Sequence, residues 1–520
     1  MKVSRIAVSL VAVTIIAVCY GCKTADLADS KEAKMVTQNA PSEQNDRKGA
    51  RLVNLKQPPL ETTMIGVLKG VSDYHGLGLS EPMVFGLSGH AFLINIHFEL
   101  CPSGPYVWKR ETVDPLIENM GMRMTDLGFF GSVADGEARK RVESQLREAL
   151  DAGIPCSLIN LENQIIDGYD ETGFFTTQPW APHNPFPPAR LTFGTWDEFG
   201  GEFHVNFYTI EKVNPIERVA AILASLDYAI DMHRHPTKYS TEAYGVGPIA
   251  YDNWIRAVPT SGSSHGNWWN ATVWSESRLM AAKYFVEIGK ENKGVSGLCL
   301  KLKNRYLNIG GNLGKISSKE MGSQEKIELL KETKRWEAEA IKDVEKLSAA
   351  LRSGSGQEQT AMEEGDADPV MMDKDDMHFL GMAGREGDQP GEGWLGDHVV
   401  FKLFFPNIAK FEPYRDGEGL YGIPHKGYWF GLQTRKLAGV PEDLPEKAAR
   451  MTAPSQRYAV FITTPKALGD DANAMVETWF ASQKDYVRRA NAFEIEYYPP
   501  TSRGAEEPIE LWIPVKKVDE

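Results

Sequence analysis

Gln456-Arg457-Tyr458-Ala459-Val460-Phe461, then Phe493-Glu494-Ile495-Glu496-Tyr497, then Ile509-Glu510-Leu511-Trp512-Ile513-Pro514-Val515-Lys516-Lys517 decide the fold of the last third of this chain. They are strand-like runs separated by Gly/Pro turns. Working outward, the same pattern predicts strands over Phe379–Ala383, His398–Phe405, Tyr428–Gln433, Tyr458–Thr464, Phe493–Tyr498 and Ile509–Val515. A single helix, Asp471–Arg489, interrupts them. Two βαββ-type units, packed as a curved sheet with helices on one face, satisfy this order.

These motifs resemble the GyrI-like, or AraC-type, effector-binding domain over residues 377–520. The resemblance implies a pocket between two repeats, lined by aromatics and holding an acidic residue that pairs with cationic or amphipathic ligands. Glu494 is the candidate carboxylate, with Tyr428 and Trp429 on a central strand, Trp479 on the helix, and Tyr497 or Tyr498 beside it. Aromatic faces plus a carboxylate in a dry cleft bind a flat cation through cation–π contact and charge. The plain alternative is that a carboxylate on an alternating strand faces solvent and a lone aromatic is core. Some members of the family hydrolyse small strained electrophiles, and a Glu494 with a raised pKa would be the general base of such a reaction.

Upstream, the acidic, Gly-containing stretch 353–376 reads as a flexible linker. Before it, charged pairs three and four apart around Leu329, Leu330, Trp336, Ile341, Val344 and Leu347 predict one long amphipathic helix over 317–352. Residues 56–316 are rich in Gly, Pro and aromatics. Ala91–Ile96 and Phe203–Phe207 read as strands, and Ala138–Asp151, Pro215–Met232 and Trp274–Ile288 as helices. The whole is of α+β class.

Gly70-Val71-Ser72-Asp73-Tyr74-His75-Gly76-Leu77, Phe85-Gly86-Leu87-Ser88-Gly89 and Ile166-Asp167-Gly168-Tyr169-Asp170 resemble the BtrH-like branch of the papain-like peptidase superfamily. Active members place a cysteine at the start of the first helix and a histidine before the Gly-Tyr-Asp strand. This chain has Thr62-Thr63-Met64 and Glu162-Asn163-Gln164-Ile165-Ile166 there. A hydroxyl without a neighbouring base is not an activated nucleophile, so the expectation is a non-catalytic relative. The rival is a relocated nucleophile, Cys101 in a Pro/Gly loop or Cys156, served by His90, His97 or His204, which would make an acyltransferase or peptidase-like enzyme. His233-Arg234-His235 could give two metal ligands, but nothing at ligand spacing completes a set, so neither metal nor cofactor is expected. Asn267-Trp268-Trp269-Asn270, Trp274 and Tyr251–Trp254 read as packing anchors before a ligand cleft.

At the N-terminus, a basic start (Met1–Arg5), an apolar run from Ile6 to Val18 and Cys19-Tyr20-Gly21-Cys22 form a secretory signal layout. The run is shorter than the roughly 20 residues of a bilayer-spanning helix. Gly21-Cys22 resembles a bacterial lipobox, which implies acylation at Cys22, although Cys19 and Tyr20 depart from the leucine and small residue of that motif. Polar residues 23–55 then act as a tether. A net charge of −14, with no Lys/Arg-rich stripe, disfavours nucleic acid. The remaining cysteines, Cys101, Cys156 and Cys299, are too few for a disulfide framework, though one pair could form. The expectation is an exported, membrane-anchored envelope lipoprotein, periplasmic or at the surface, or else a secreted soluble protein. It would bind a small organic ligand, cationic or amphipathic.

Overall fold

A computed structural model describes residues 49–133, 135–353, 368–384, 399–424, 428–435, 445, 448–500 and 505–518. The signal layout, Cys22 and nearly all of the tether lie outside the described residues. Two units emerge, one made of the residues up to Ala281 with Ile309–Ile341, the other of Ala282–Asn308 with the residues from Lys342 onward. Among the described residues, no helix is long and apolar enough to cross a membrane.

The first unit holds β1 (Ala50–Arg51), α1 (Thr63–Tyr74), β2 (Met122–Gly131), α2 (Gly136–Asp151), β3 (Cys156–Asn160), β4 (Glu162–Tyr169), β5 (Gly173–Thr176), β6 (Arg190–Thr192) and β7 (His204–Lys212). Helix α3 (Arg218–Arg234) and α4 (Pro248–Ser261) follow. The strands form one antiparallel sheet in the order β2-β7-β3-β4-β5-β6, with β1 on β4. All eight residues of β4 are buried, so this strand is the spine of the sheet. Helix α1 lies close on it because Gly70 has no side chain: a Cβ there would come within 2.8 Å of Ile165 Cδ1. Helix α2 is capped by Asp135, whose Oδ1 accepts from Glu137 N at 2.7 Å, and it buries Val142, Leu146 and Leu150.

The run Ala91–Ile96, expected as a strand, opens with a turn at Ala91 and Phe92, and only its end is a strand, Asn95–His97 pairing with Tyr244–Val246. Its carbonyls are satisfied by a side chain in place of a ladder. The fully buried Arg278 donates to the oxygens of Ala91 (3.0 Å), Leu93 (2.9 Å) and Phe92 (3.0 Å), and also pairs with Glu337. Arg278 sits on the long helix α5 (His265–Glu291), which is followed by α6 (Ser296–Ile316) and α7 (Ser323–Ser353).

The second unit is built on β8 (Val370–Lys374), β9 (Met377–Ala383), α8 (Val399–Phe404), β10 (Leu420–Pro424), β11 (Tyr428–Thr434), β12 (Ala448–Ala453), β13 (Gln456–Thr463), α9 (Asp470–Ser482), β14 (Tyr486–Arg488), β15 (Ile495–Tyr498) and β16 (Ile509–Lys517). Its antiparallel sheet runs β8-β13-β16-β15-β10-β11-β9-β12, with β14 on β16. The two halves of this order mirror each other about the β15–β10 contact, and each half is a βαββ unit with an outer strand added. The duplicated βαββ fold expected for this part is present.

Helices α8 and α9 share one face of the sheet. Glu496 pairs with Leu511 and Tyr498 with Leu420, so these residues point the same way. Leu420 belongs to the cluster around α8 (Val400, Phe401, Phe404 with Phe430 and Leu432), and Leu511 to the cluster around α9 (Ala472, Val476 with Phe461 and Ile513). The opposite face gathers Phe379, Tyr421, Ile423, Trp429, Tyr458, Ile495 and Trp512, with Leu307 of α6 against it. Each fully buried side chain of this size contributes roughly 1.5–3 kcal/mol.

Three expectations for this unit are corrected. Of the run expected as a strand over His398–Phe405, Val399 to Phe404 is helix α8, burying Val400, Phe401 and Phe404 on one side. A short apolar run fits either structure until its neighbours are known. The helix from Asp471 ends at Ser482, where Gln483 turns extended (φ −124°, ψ 164°), and Tyr486–Arg488 joins the sheet. The stretch read as linker contains β8, whose Val370 and Met372 are buried and which pairs with β13.

Candidate functional site

Alternation along β15 sends Ile495 and Tyr497 to one face and Glu496 and Tyr498 to the other. Glu496 is 8% exposed and sits on the helix-bearing face. Its Oε2 accepts hydrogen bonds from the Tyr498 hydroxyl at 2.8 Å and from the Tyr428 hydroxyl. The two phenols are 3.4 Å apart. Phe401 and Phe430 close the surround, Phe401 at 6.2 Å from the Tyr428 ring and Phe430 at 5.7 Å from that of Tyr498. Space for this arrangement exists because the neighbouring strand carries Gly422, paired with Glu496, where a Cβ would lie 2.7 Å from Glu496 Oε2 and collide with the Tyr428 hydroxyl.

Burial pushes the Glu496 carboxyl above the ordinary glutamate range, and the two phenolic donors offset only part of that shift. Among the described residues, no Lys, Arg or His pairs with it. An ionised carboxylate held this way favours a cation brought from outside.

The other buried carboxylate of this sheet, Glu510, is in the opposite condition. It is fully buried on the far face, ion-paired with Lys303 at 3.0 Å and bonded by Trp512 Nε1 at 2.7 Å. Lys374 sits 4.6 Å above the Trp512 ring, and burial lowers its ammonium to about 8. Glu510 is therefore already neutralised by the protein.

The sequence-named residues divide between these surroundings. Tyr428 and Tyr498 meet at Glu496. Trp429 faces the other side with Phe379 (5.8 Å), and Tyr497 packs there on Trp512 (5.9 Å) under Lys303. Trp479 anchors α9 by an edge contact with Phe461 at 5.7 Å. Glu494 lies apart from both: its side chain is 32% exposed and ion-paired with Arg488. It precedes the first ladder pair of β15, Ile495 with Trp512, and is drawn to β14 instead of the aromatic surround. Glu496 and Gly422 are the residues that sequence reasoning missed. A cavity of about 370 Å³ is lined by Tyr428, Trp429, Ala449, Arg450, Met451 and Phe493 among others; it shares Tyr428 with the Glu496 surround, and neither Glu496 nor Gly422 lines it.

Cys101 and Cys156 in the first unit and Cys299 in the second are buried and, among the described residues, form no disulfide. Ser103 Oγ donates to Cys101 Sγ at 2.9 Å. Burial pushes the Cys156 thiol up, away from thiolate reactivity. His90 is held down to about 4 by burial and its Nδ1 lies 3.1 Å from Ser88 Oγ, while His97 Nδ1 accepts from Glu99 N at 3.1 Å. His204 stacks on Phe129. The premise that Thr63 has no base beside it is also corrected, because its Oγ1 donates to Glu162 Oε2 at 2.8 Å. Among the described residues, no group of His, Cys, Asp and Glu is placed to hold a metal ion.

A sheet of two βαββ halves with helices on one face is the fold of a GyrI-like effector-binding domain. Residues 431–515 match the family model of Cass2, the integron-associated effector binding protein. Solved structures similar to this part include SAV2435 bound to tetraphenylphosphonium, at 19% identity over 29% of this chain and 94% of that one, TM-score 0.23. Another is an integron cassette protein from the mobile metagenome of Vibrio cholerae, at 18% identity over 29% of this chain and 96% of that one, TM-score 0.19. No curated protein matches the chain.

Proposed function

We propose that the second unit captures an aromatic or amphipathic organic cation, with Glu496 as its counter-charge and Tyr428, Tyr498, Phe401 and Phe430 as the surrounding rings. The observation that carries this reading is the buried Glu496 carboxylate, bonded by two phenols and paired with no cation among the described residues. Ion pairing and cation–π contact strengthen together where water is excluded. The exposed pair Glu494–Arg488 speaks against Glu494 as the general base of a hydrolase.

A charge-reversal test is direct. Tetraphenylphosphonium and tetraphenylborate share shape and differ in sign. The cation should raise the melting temperature of the full chain and the anion should not, since only a ligand of the folded state stabilises it. Equal shifts with both would end the electrostatic reading.

In the same proposal the protein is exported and held at the cell envelope by lipid on Cys22, a reading supported by the basic start, the apolar run and Gly21-Cys22. Incorporation of labelled palmitate, lost in Cys22→Ser, is the expected result; equal labelling of the variant would refute it.

A further inference from the structure

Thr63 opens α1 with its hydroxyl aimed at Glu162, the first residue of β4. Oγ1 donates to Glu162 Oε2 at 2.8 Å. Glu162 is 6% exposed, and its Oε1 accepts from the Tyr106 hydroxyl, whose oxygen accepts from Trp269 Nε1 at 2.6 Å. Asn163 completes the group, with its backbone N 3.1 Å and its Nδ2 3.4 Å from Thr63 Oγ1. A hydroxyl bonded to a carboxylate that a third group orients is the arrangement of nucleophile, base and orienter.

We infer that Thr63, Glu162 and Asn163 form an acyl-transfer centre that accepts small activated carboxylic esters and passes the acyl group to water. This site lies in the first unit and stands apart from the cation site proposed above. Thr63 Oγ1 attacks the carbonyl carbon while its proton passes to Glu162. A carbon–oxygen bond forms and the carbonyl π pair moves onto oxygen, where Asn163 Nδ2–H donates to it. The intermediate collapses, the bond to the leaving alkoxide breaks, and Glu162 returns the proton to that alkoxide. Water then attacks the acyl-Thr63 ester and gives a proton to Glu162. The second collapse releases the carboxylic acid and restores the proton to Thr63 Oγ1. Tyr106 is a positioning residue: it holds the carboxylate of Glu162 and touches no reacting atom.

Burial raises Glu162 to about 8, where a general base is effective near neutral pH. The groups facing it are Tyr106 and Thr63, whose hydrogen bonds lower its pKa, and Glu61, whose charge raises it. Acylation should therefore quicken with pH up to about 8 and level off beyond it. Tyr106→Phe removes a donor to the ionised form, so this limb should move to higher pH.

The test treats the full chain with p-nitrophenyl acetate, quenches it in acid, and locates the adduct by peptide mass spectrometry. An acetyl group on Thr63 is expected in the wild type and in Thr63→Ser, none at this position in Thr63→Val, and adduct formation about 100-fold slower in Glu162→Gln. A folded wild type, judged by circular dichroism, that gains no acetyl on Thr63 would overturn the proposal. So would an adduct that forms at the same rate in Glu162→Gln, because the carboxylate would then serve only to tie α1 to β4.

Discussion

Gly422 lies under the hydroxyl of Tyr428 with no room for a methyl group between them; a Cβ there would collide with that oxygen and reach 2.7 Å from Glu496 Oε2. The site thus depends on a residue with no side chain. Gly422→Ala should push Tyr428 off Glu496 and weaken capture of an aromatic cation by roughly 10-fold or more. Overpacking of this kind costs about 1–3 kcal/mol. Chemical denaturation of the variant gives the stability loss, and calorimetric titration gives the affinity.

Capture should also depend on pH. Burial raises the Glu496 pKa, so the carboxylate is protonated, and the cation loses its counter-charge, at a pH above the ordinary 4.5 of a glutamate. Affinity should fall on acidification and hold on the alkaline side. Glu496→Gln should bind weakly at every pH. Dissociation constants measured across a pH series for both proteins check this.

Glu162 makes an opposite kind of statement, about stability in the first unit. Its folded-state pKa of about 8 stands above the ordinary 4.5, so between those values the folded state keeps a proton that the unfolded chain gives up. Stability attributable to this group is greatest below pH 4.5, declines as pH rises, and is flat above about 8. Glu162→Gln cannot ionise and should gain on the wild type across that window, by on the order of 2–4 kcal/mol at its alkaline end. Urea denaturation at several pH values measures the difference.

The Lys303–Glu510 pair permits a cycle. Lys303→Met leaves the fully buried Glu510 with less compensation and should cost about 3–5 kcal/mol. Lys303→Met with Glu510→Gln removes the stranded charge and should recover much of that loss. A double variant no more stable than the single one would mean that Lys374, rather than Lys303, carries the compensation.

Much of this fold was legible in the chain. The runs at Tyr458, Phe493 and Ile509 announce strands because alternation and turn residues are local properties. The duplicated βαββ order follows from their succession. Val399–Phe404 was ambiguous because six apolar-rich residues satisfy a strand or a helix equally, and only packing on Leu380 and Phe430 decides. Val370–Lys374 hid behind acidic neighbours, since its membership in the sheet depends on a partner some 90 residues away, Val460 opposite Val370.

The site was half legible. The aromatic run Tyr428-Trp429 and the pair Tyr497-Tyr498 drew notice, yet within each pair only one ring faces Glu496, because neighbours on a strand point to opposite faces. Glu494 and Glu496 share a parity, so alternation alone could not choose between them. What separates them is where β15 begins and where Arg488 lies, both long-range facts. Gly422 carried no local signal: its importance appears only when β10 is laid beside β15.

The most direct test of cation capture at Glu496 is calorimetric titration of the full chain with tetraphenylphosphonium, comparing the wild type with Glu496→Gln and Glu494→Gln. The account predicts saturable binding by the wild type, near-equal binding by Glu494→Gln, and a loss of at least about 10-fold in Glu496→Gln, the scale of one desolvated charge contact. Binding that survives Glu496→Gln unchanged, or that fails only in Glu494→Gln, would contradict it.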